Sequence, residues 1–166
     1  MKKFTLILLC FGLNFGLQAQ DDSEVFNRKG RVLVETGYNL VAGFSSGTGL
    51  SLFVDEEGNT VTSVGFDGGY FISENFALKM KLSLLSSLGS ITNFQAGGKY
   101  YIGGRVPFEL SAGLLSGGDN SEFLANLSIG YAINLAENIT LEPNIGGLGT
   151  GDGILLEFGM SFSMFL

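Results

Sequence analysis

"LEFGMSFSMFL", residues 156–166, places Leu156, Phe158, Met160, Phe162, Met164 and Leu166 on one side of an extended chain. Glu157, Gly159, Ser161 and Ser163 fall on the other. Side chains alternate across a strand with a period of two, so this is a strand with one large apolar face and one small, polar face. The apolar row runs unbroken to Leu166 with no polar tail. Such a strand is satisfied if its backbone pairs with a neighbour and its apolar face meets lipid, as the last strand of a closed barrel does when it pairs with the first.

The same alternation recurs upstream. In "RVLVETGYNLVAGF" (31–44), Val32, Val34, Thr36, Tyr38, Leu40, Ala42 and Phe44 oppose Glu35, Gly37, Asn39 and Gly43. In "SVGFDGGYFI" (63–72), Val64, Phe66, Tyr70 and Ile72 oppose Asp67 and Gly69. In "FALKMKLSLL" (76–85), Phe76, Leu78, Met80, Leu82 and Leu84 oppose Lys79, Lys81 and Ser83. "TNFQAGGKYYI", "VPFELSAGLL", "FLANLSIGYAI", "ITLEPNIG" and "LLEFGMSFSMFL" continue it, giving eight strands of mostly about ten residues, the length a tilted strand needs to cross a bilayer. Eight is the smallest number usual for a single-chain outer-membrane barrel.

The connections alternate as well. "SEN" (73–75), "GGR" (103–105) and "NLAEN" (134–138) are tight, whereas the regions of "VDEEGN", "SSLGS", "SGGDNSE" and "LGTGDG" are richer in glycine and acid. Tight turns on one side and longer loops on the other is the outer-membrane layout, with the tight turns in the periplasm. Tyr70, Tyr100 and Tyr131 recur shortly before tight turns, and "ENFAL" (74–78) is echoed by "ENITL" (137–141). With Phe76 and Phe108 beside them, these tyrosines form an expected aromatic girdle on the apolar face.

Over residues 31–166 this layout resembles the small eight-stranded outer-membrane barrels of the OmpA and OmpX type. The resemblance implies an all-β, antiparallel, up-and-down transmembrane barrel. It also implies that the C-terminal row Phe158, Met160, Phe162, Met164 and Leu166 is what the assembly machinery reads. The usual final residue there is Phe, and here it is Leu166 with Phe165 beside it.

Composition fits that architecture and narrows function. "MKKFTLILLCFGLNFGLQAQ" reads as a signal peptide, residues 1–19, cut after Ala19 or one residue later. Its apolar run is shorter than the roughly twenty residues a membrane anchor requires. Lipoprotein processing at Cys10 would want a small residue before the cysteine, where Leu9 stands. Residues 20–30 are a polar periplasmic lead-in, and 31–166 the barrel.

The leader carries two of the nine basic residues and none of the sixteen acids, so the mature chain has a formal charge of 7 − 16 = −9. That balance excludes nucleic acid as a partner. The chain has no histidine, and its single cysteine leaves with the leader. No disulfide framework, no metal centre and no cofactor are therefore expected, and no catalytic constellation stands out. Asp55, Glu56, Glu57, Asp119, Glu122 and Asp152 read as solvated loop charge, with loose bridging of divalent cations to lipopolysaccharide as the sharper alternative.

The inward face carries Glu35, Asp67, Lys79, Lys81, Lys99, Glu109, Glu142 and Glu157, most of them four to six residues from a tight turn. If "SEN" and "GGR" are three-residue turns, Ile72 faces Phe76, Asp67 faces Lys81, Ile102 faces Val106 and Lys99 faces Glu109. Opposite charges directly across a ladder contribute roughly 0.2–1 kcal/mol each. The plain reading is a lumen plugged by salt bridges, and the functional one a narrow charged pore, with inward glycines at 37, 65, 69, 97, 113 and 159 leaving room for water. Pro143, inside a predicted strand, is a misfit that removes a ladder hydrogen bond.

The expected protein is thus a monomeric, non-enzymatic outer-membrane barrel with a structural, membrane-stabilising role, contacting outer-membrane lipid including lipopolysaccharide and, during biogenesis, the barrel-assembly machinery. Pore and surface-adhesion roles are alternatives, although short loops argue against adhesion. A soluble, lipocalin-like periplasmic carrier with an apolar interior is the alternative of another class. A polar face rich in Gly, Ser and Asn but sparse in charge favours the crowded lumen over a solvated exterior.

Overall fold

The computed structural model describes residues 28–39, 45–54, 60–86, 90–117, 120–151 and 153–166. The expected leader, most of the lead-in, residues 40–44 of the first predicted strand, and Asp55, Glu56, Glu57, Asp119 and Asp152 lie outside them. The strands are β1 (Val32–Asn39), β2 (Ser45–Gly47), β3 (Gly49–Val54), β4 (Thr60–Ser73), β5 (Phe76–Ser86) and β6 (Ser90–Ile102). Then follow β7 (Val106–Gly117), β8 (Asn120–Gly130), β9 (Ile133–Ala136), β10 (Ile139–Thr150) and β11 (Gly153–Phe165).

Every strand pairs antiparallel with its neighbours, in the order β4, β5, β6, β7, β8, β10, β11, β1, and β1 returns onto β4. With β9 continuing the β8 stave, this is a closed, up-and-down barrel of eight staves. Its closing seam joins Leu33↔Phe165 through Asn39↔Gly159. Leu166 extends it, its N–H donating to Val32 O at 2.8 Å and its O accepting from Val32 N at 2.9 Å. The opening stretch finds its partner here: the final strand is sealed against the first, so no open edge remains between them.

The turns fix the register. Asn75 adopts φ +67°, a left-handed conformation that Asn tolerates, which lets "SEN" close as a short loop with a bulge. Ser73 faces Phe76 and Ile72 is bulged, so the expected Ile72–Phe76 pair does not form, yet the shift is confined to the turn and Asp67 still faces Lys81. At "GGR", Gly103 (φ +59°) and Gly104 (φ +74°) turn the chain so that Ile102 faces Val106 and Lys99 faces Glu109.

Two places depart from eight simple strands. The β1–β4 ladder spans only Val32↔Tyr70 to Glu35↔Asp67; beyond it β1 pairs with β2 and β4 with β3, two short strands that sequence alternation did not single out. Thr48 fills the fork, its N–H donating to Glu35 O at 2.7 Å while its hydroxyl accepts from Asp67 N and donates to Asp67 O, both at 2.9 Å. Gly47 permits this approach, since a Cβ there would lie 2.7 Å from Thr36 Cα.

The second departure explains Pro143. Tyr131 N–H donates to Pro143 O at 3.1 Å, but proline has no N–H to complete the pair. The stave therefore breaks at Tyr131–Ala132 into β8 and β9, while on its other side Ala132 N–H keeps its bond to Arg105 O at 2.8 Å.

Candidate functional site

Inward-facing side chains are layered from the tight-turn end upward. The lowest layer is apolar. Leu33, Phe71, Ala77, Tyr101, Ala132 and Phe165 form one buried cluster, with Leu33, Phe71 and Tyr101 wholly closed to solvent. The rings of Phe71, Tyr101 and Phe165 meet one another at centroid distances of 5.9–6.2 Å, within the range of favourable tilted aromatic pairs. This floor was readable from parity: Phe71 continues the row of Asp67 and Gly69, and Tyr101 that of Gly97 and Lys99.

Directly above lies a network of charge. Lys79 Nζ contacts Glu35, Asp67 at 3.0 Å and Glu109 at 2.8 Å. Lys81 Nζ reaches Glu109 at 2.5 Å and Asp67 at 3.7 Å. Lys99 Nζ contacts Glu35 and lies 2.5 Å from Glu142. Hydroxyl donors add to the network: Tyr101 OH (2.9 Å) and Thr140 Oγ1 (2.8 Å) donate to the Glu142 oxygen that Lys99 leaves free, and Ser163 Oγ (2.6 Å) donates to the Glu35 oxygen that Lys99 contacts. All seven charged groups except Lys81 are buried. Burial of this many charges is tolerable only with such pairing, because an isolated buried ion loses its hydration without compensation.

The pairing differs from the cross-strand expectation in one respect. Lys99 faces Glu109 in register, yet its ammonium reaches across to Glu35 and Glu142, while Glu109 is held by Lys79 and Lys81. An eight-stranded interior is narrow enough for lysine stems to span it, so partners are chosen across the lumen as well as along the ladder. Glu157 stands outside the network, accepting from Asn126 Nδ2 at 2.7 Å. Glu122, the described member of the acidic loop set, accepts from Gly151 N at 2.9 Å.

Higher still, Ser111 Oγ donates to Gln95 Oε1 at 3.0 Å and Gln95 Nε2 to Asn93 Oδ1 at 3.1 Å. A cavity of about 520 Å³ occupies the space above the charges. Its upper wall includes inward leucines that the strand reading passed over, in the cross-strand pairs Leu85↔Ile91 and Leu148↔Leu155 and at Leu115 and Leu124.

The outer face is the reverse of the lumen. Phe66, Met80, Leu82, Phe94, Leu110, Leu127, Ile145, Phe158, Met160, Phe162, Met164 and Leu166 are all exposed. Tyr70, Tyr100, Phe108 and Tyr131 are exposed near the tight-turn end, with Phe76 half-buried and in register with Tyr100, which is in turn paired with Phe108. A lipocalin-like carrier needs the opposite arrangement, a polar exterior around an apolar interior, so this polarity overturns that alternative.

No family model matches the chain, and no curated protein matches it. Among solved structures, a de novo designed transmembrane β-barrel has a TM-score of 0.47 at 15% identity, covering 84% of this chain and 98% of the design. The N-terminal β-barrel domain of OprF from Pseudomonas aeruginosa has a TM-score of 0.48 at 18% identity, covering 83% and 98%. The outer-membrane protein Ail of Yersinia pestis, in a phospholipid bilayer nanodisc, has 0.47 at 9% identity, covering 83% and 100%. Strand count and up-and-down order agree with the OmpA and OmpX layout that the sequence resembles.

Proposed function

We propose that this protein is an outer-membrane barrel of a Gram-negative envelope, with a structural, membrane-stabilising role and a lumen sealed against solute flow. The observation that carries the reading is the inverted polarity of the barrel: exposed Phe, Leu and Met outside, seven ion-paired charges inside. A belt of that size in water would be an aggregation hazard, whereas facing lipid it is the surface that holds the barrel in place. In this frame the tight turns and the apolar floor lie on the periplasmic side, the girdle meets the lipid headgroups, and the cavity opens outward.

The chain works as a monomer in contact with lipid, including lipopolysaccharide, and reaches the membrane through a cleaved leader and the barrel-assembly machinery. It performs no catalysis, a reading supported by the lack of any histidine to serve as base. Mature protein, from residue 20, refolded into a planar bilayer tests the sealed lumen. Silence, with folding verified by altered gel migration before and after boiling, is expected of wild type and Lys81→Ala alike. Discrete conductance steps that change with Lys81→Ala would make the charge network a gate and the protein a channel.

A further inference from the structure

The upper lumen is a cup with two kinds of wall. Its volume of about 520 Å³ lies within the roughly 300–1,000 Å³ typical of small-molecule sites. Its lining holds six carboxylates, Glu35, Asp67, Glu109, Glu122, Glu142 and Glu157, against the three ammonium groups of Lys79, Lys81 and Lys99, a formal excess of three negative charges. The lysines are committed to the floor, where each touches at least two carboxylates. Leu85, Leu115, Leu124 and Leu148 add apolar side chains to the same wall. Polar side chains interleave with these leucines, Leu115 lying opposite Asn93 and Glu122 and Leu148 opposite Asn126, so the cup offers both kinds of contact at one level.

We propose that this cup is a binding site for a small amphiphilic cation, an organic ammonium carrying a compact apolar group. The ammonium is drawn to the excess carboxylate at the level of Glu157, where Asn126 already orients one oxygen, and the apolar group packs against the leucines. A charged cleft with low-dielectric walls focuses its field and concentrates ions of opposite sign. The leucines select among those cations, since only an apolar substituent gains from leaving water there. The inference rests on the bilayer-spanning reading, and gel migration of the refolded protein separates failure of that reading from failure of the site.

The test uses mature protein in phospholipid nanodiscs with isotopically labelled leucine and isoleucine methyls, titrated with 2-phenylethylammonium or with 3-phenylpropionate, a probe of similar size and opposite charge. Saturable shifts at Leu85, Leu115, Leu124 and Leu148 with the ammonium and not with the carboxylate are expected. Glu157→Gln should weaken the ammonium by roughly tenfold, the value of one charge-assisted contact. Glu122→Gln, nearer the mouth, provides the same comparison should Glu157→Gln not fold. Equal response to both probes, shifts confined to the outward methyls of Leu110 and Leu127, or no saturable shift would each overturn the proposal.

Discussion

Replacing Lys79 with methionine keeps the side-chain stem and removes the ammonium from the centre of the ion network. Lys79 touches three carboxylates and its side chain is 2% exposed, whereas Lys81 touches two and is 27% exposed. The network holds Glu35, Asp67, Glu109 and Glu142 against three lysines, a formal −1 that Lys79→Met takes to −2. Stripping one partner from a buried pair costs roughly 3–5 kcal/mol, because the remaining charge has neither water nor counter-ion. Lys81→Met, partly hydrated and therefore discounted, should cost about 1 kcal/mol.

With a urea slope of ~2 kcal/mol/M, Lys79→Met lowers the unfolding midpoint by about 2 M. The chain has no tryptophan, so unfolding in lipid vesicles is best followed by far-ultraviolet circular dichroism and gel migration. Lys79→Met combined with Glu109→Gln restores the formal −1 and should recover much of the loss. Equal midpoints for Lys79→Met and Lys81→Met, or a double variant weaker than Lys79→Met alone, would refute the argument that buried charge balance holds the lumen together.

Three further outcomes follow from the geometry. Phe71→Ala, which empties the centre of the aromatic floor, should lower stability by ~3–5 kcal/mol in the same urea assay. Gly113→Ala should abolish folding into vesicles, because its Cβ would lie 1.8 Å from Phe94 O, whereas Gly117→Ala, meeting only Ile91 Cγ1 at 3.3 Å, should fold; the folded gel band scores both. Pro143→Ala supplies the N–H that the Tyr131 pairing lacks, so it should stabilise by about 1 kcal/mol and slow hydrogen exchange at Tyr131 and Ala132. A loss of stability there would mean that the break between β8 and β9 is required by the fold.

Much of the barrel was legible because alternation is a local property that survives folding. The row from Phe158 to Leu166 and the register Asp67↔Lys81 follow from period two and turn length alone. The β2–β3 fork was not legible: its cause is a contact of Thr48 with backbone thirteen and nineteen residues away, which no local pattern encodes. Lys99 shows the same limit within the candidate site. Its ladder position was set by the "GGR" turn, but its partners were set by the width of the lumen and by Glu142, forty-three residues distant. The floor of Phe71, Tyr101 and Phe165 and the leucines of the cup obey the same parity as the charges. Parity places them inward, but an apolar side chain there shows no contrast of polarity with the lipid-facing rows to mark it.

Which face of the strands meets lipid is read most directly on β11. The only cysteine, Cys10, falls within the expected leader, so single cysteines placed in turn at Phe158, Gly159, Met160, Ser161 and Phe162 of the mature protein report without background. Spin labels on these sites in phospholipid vesicles would be tested for collision with oxygen, which concentrates in lipid, and with a water-soluble nickel chelate. A lipid-facing row gives period-two accessibility, with 158, 160 and 162 favouring oxygen and 159 and 161 shielded from it. Oxygen accessibility highest at 159 and 161, or chelate accessibility high at 158, 160 and 162, would contradict it.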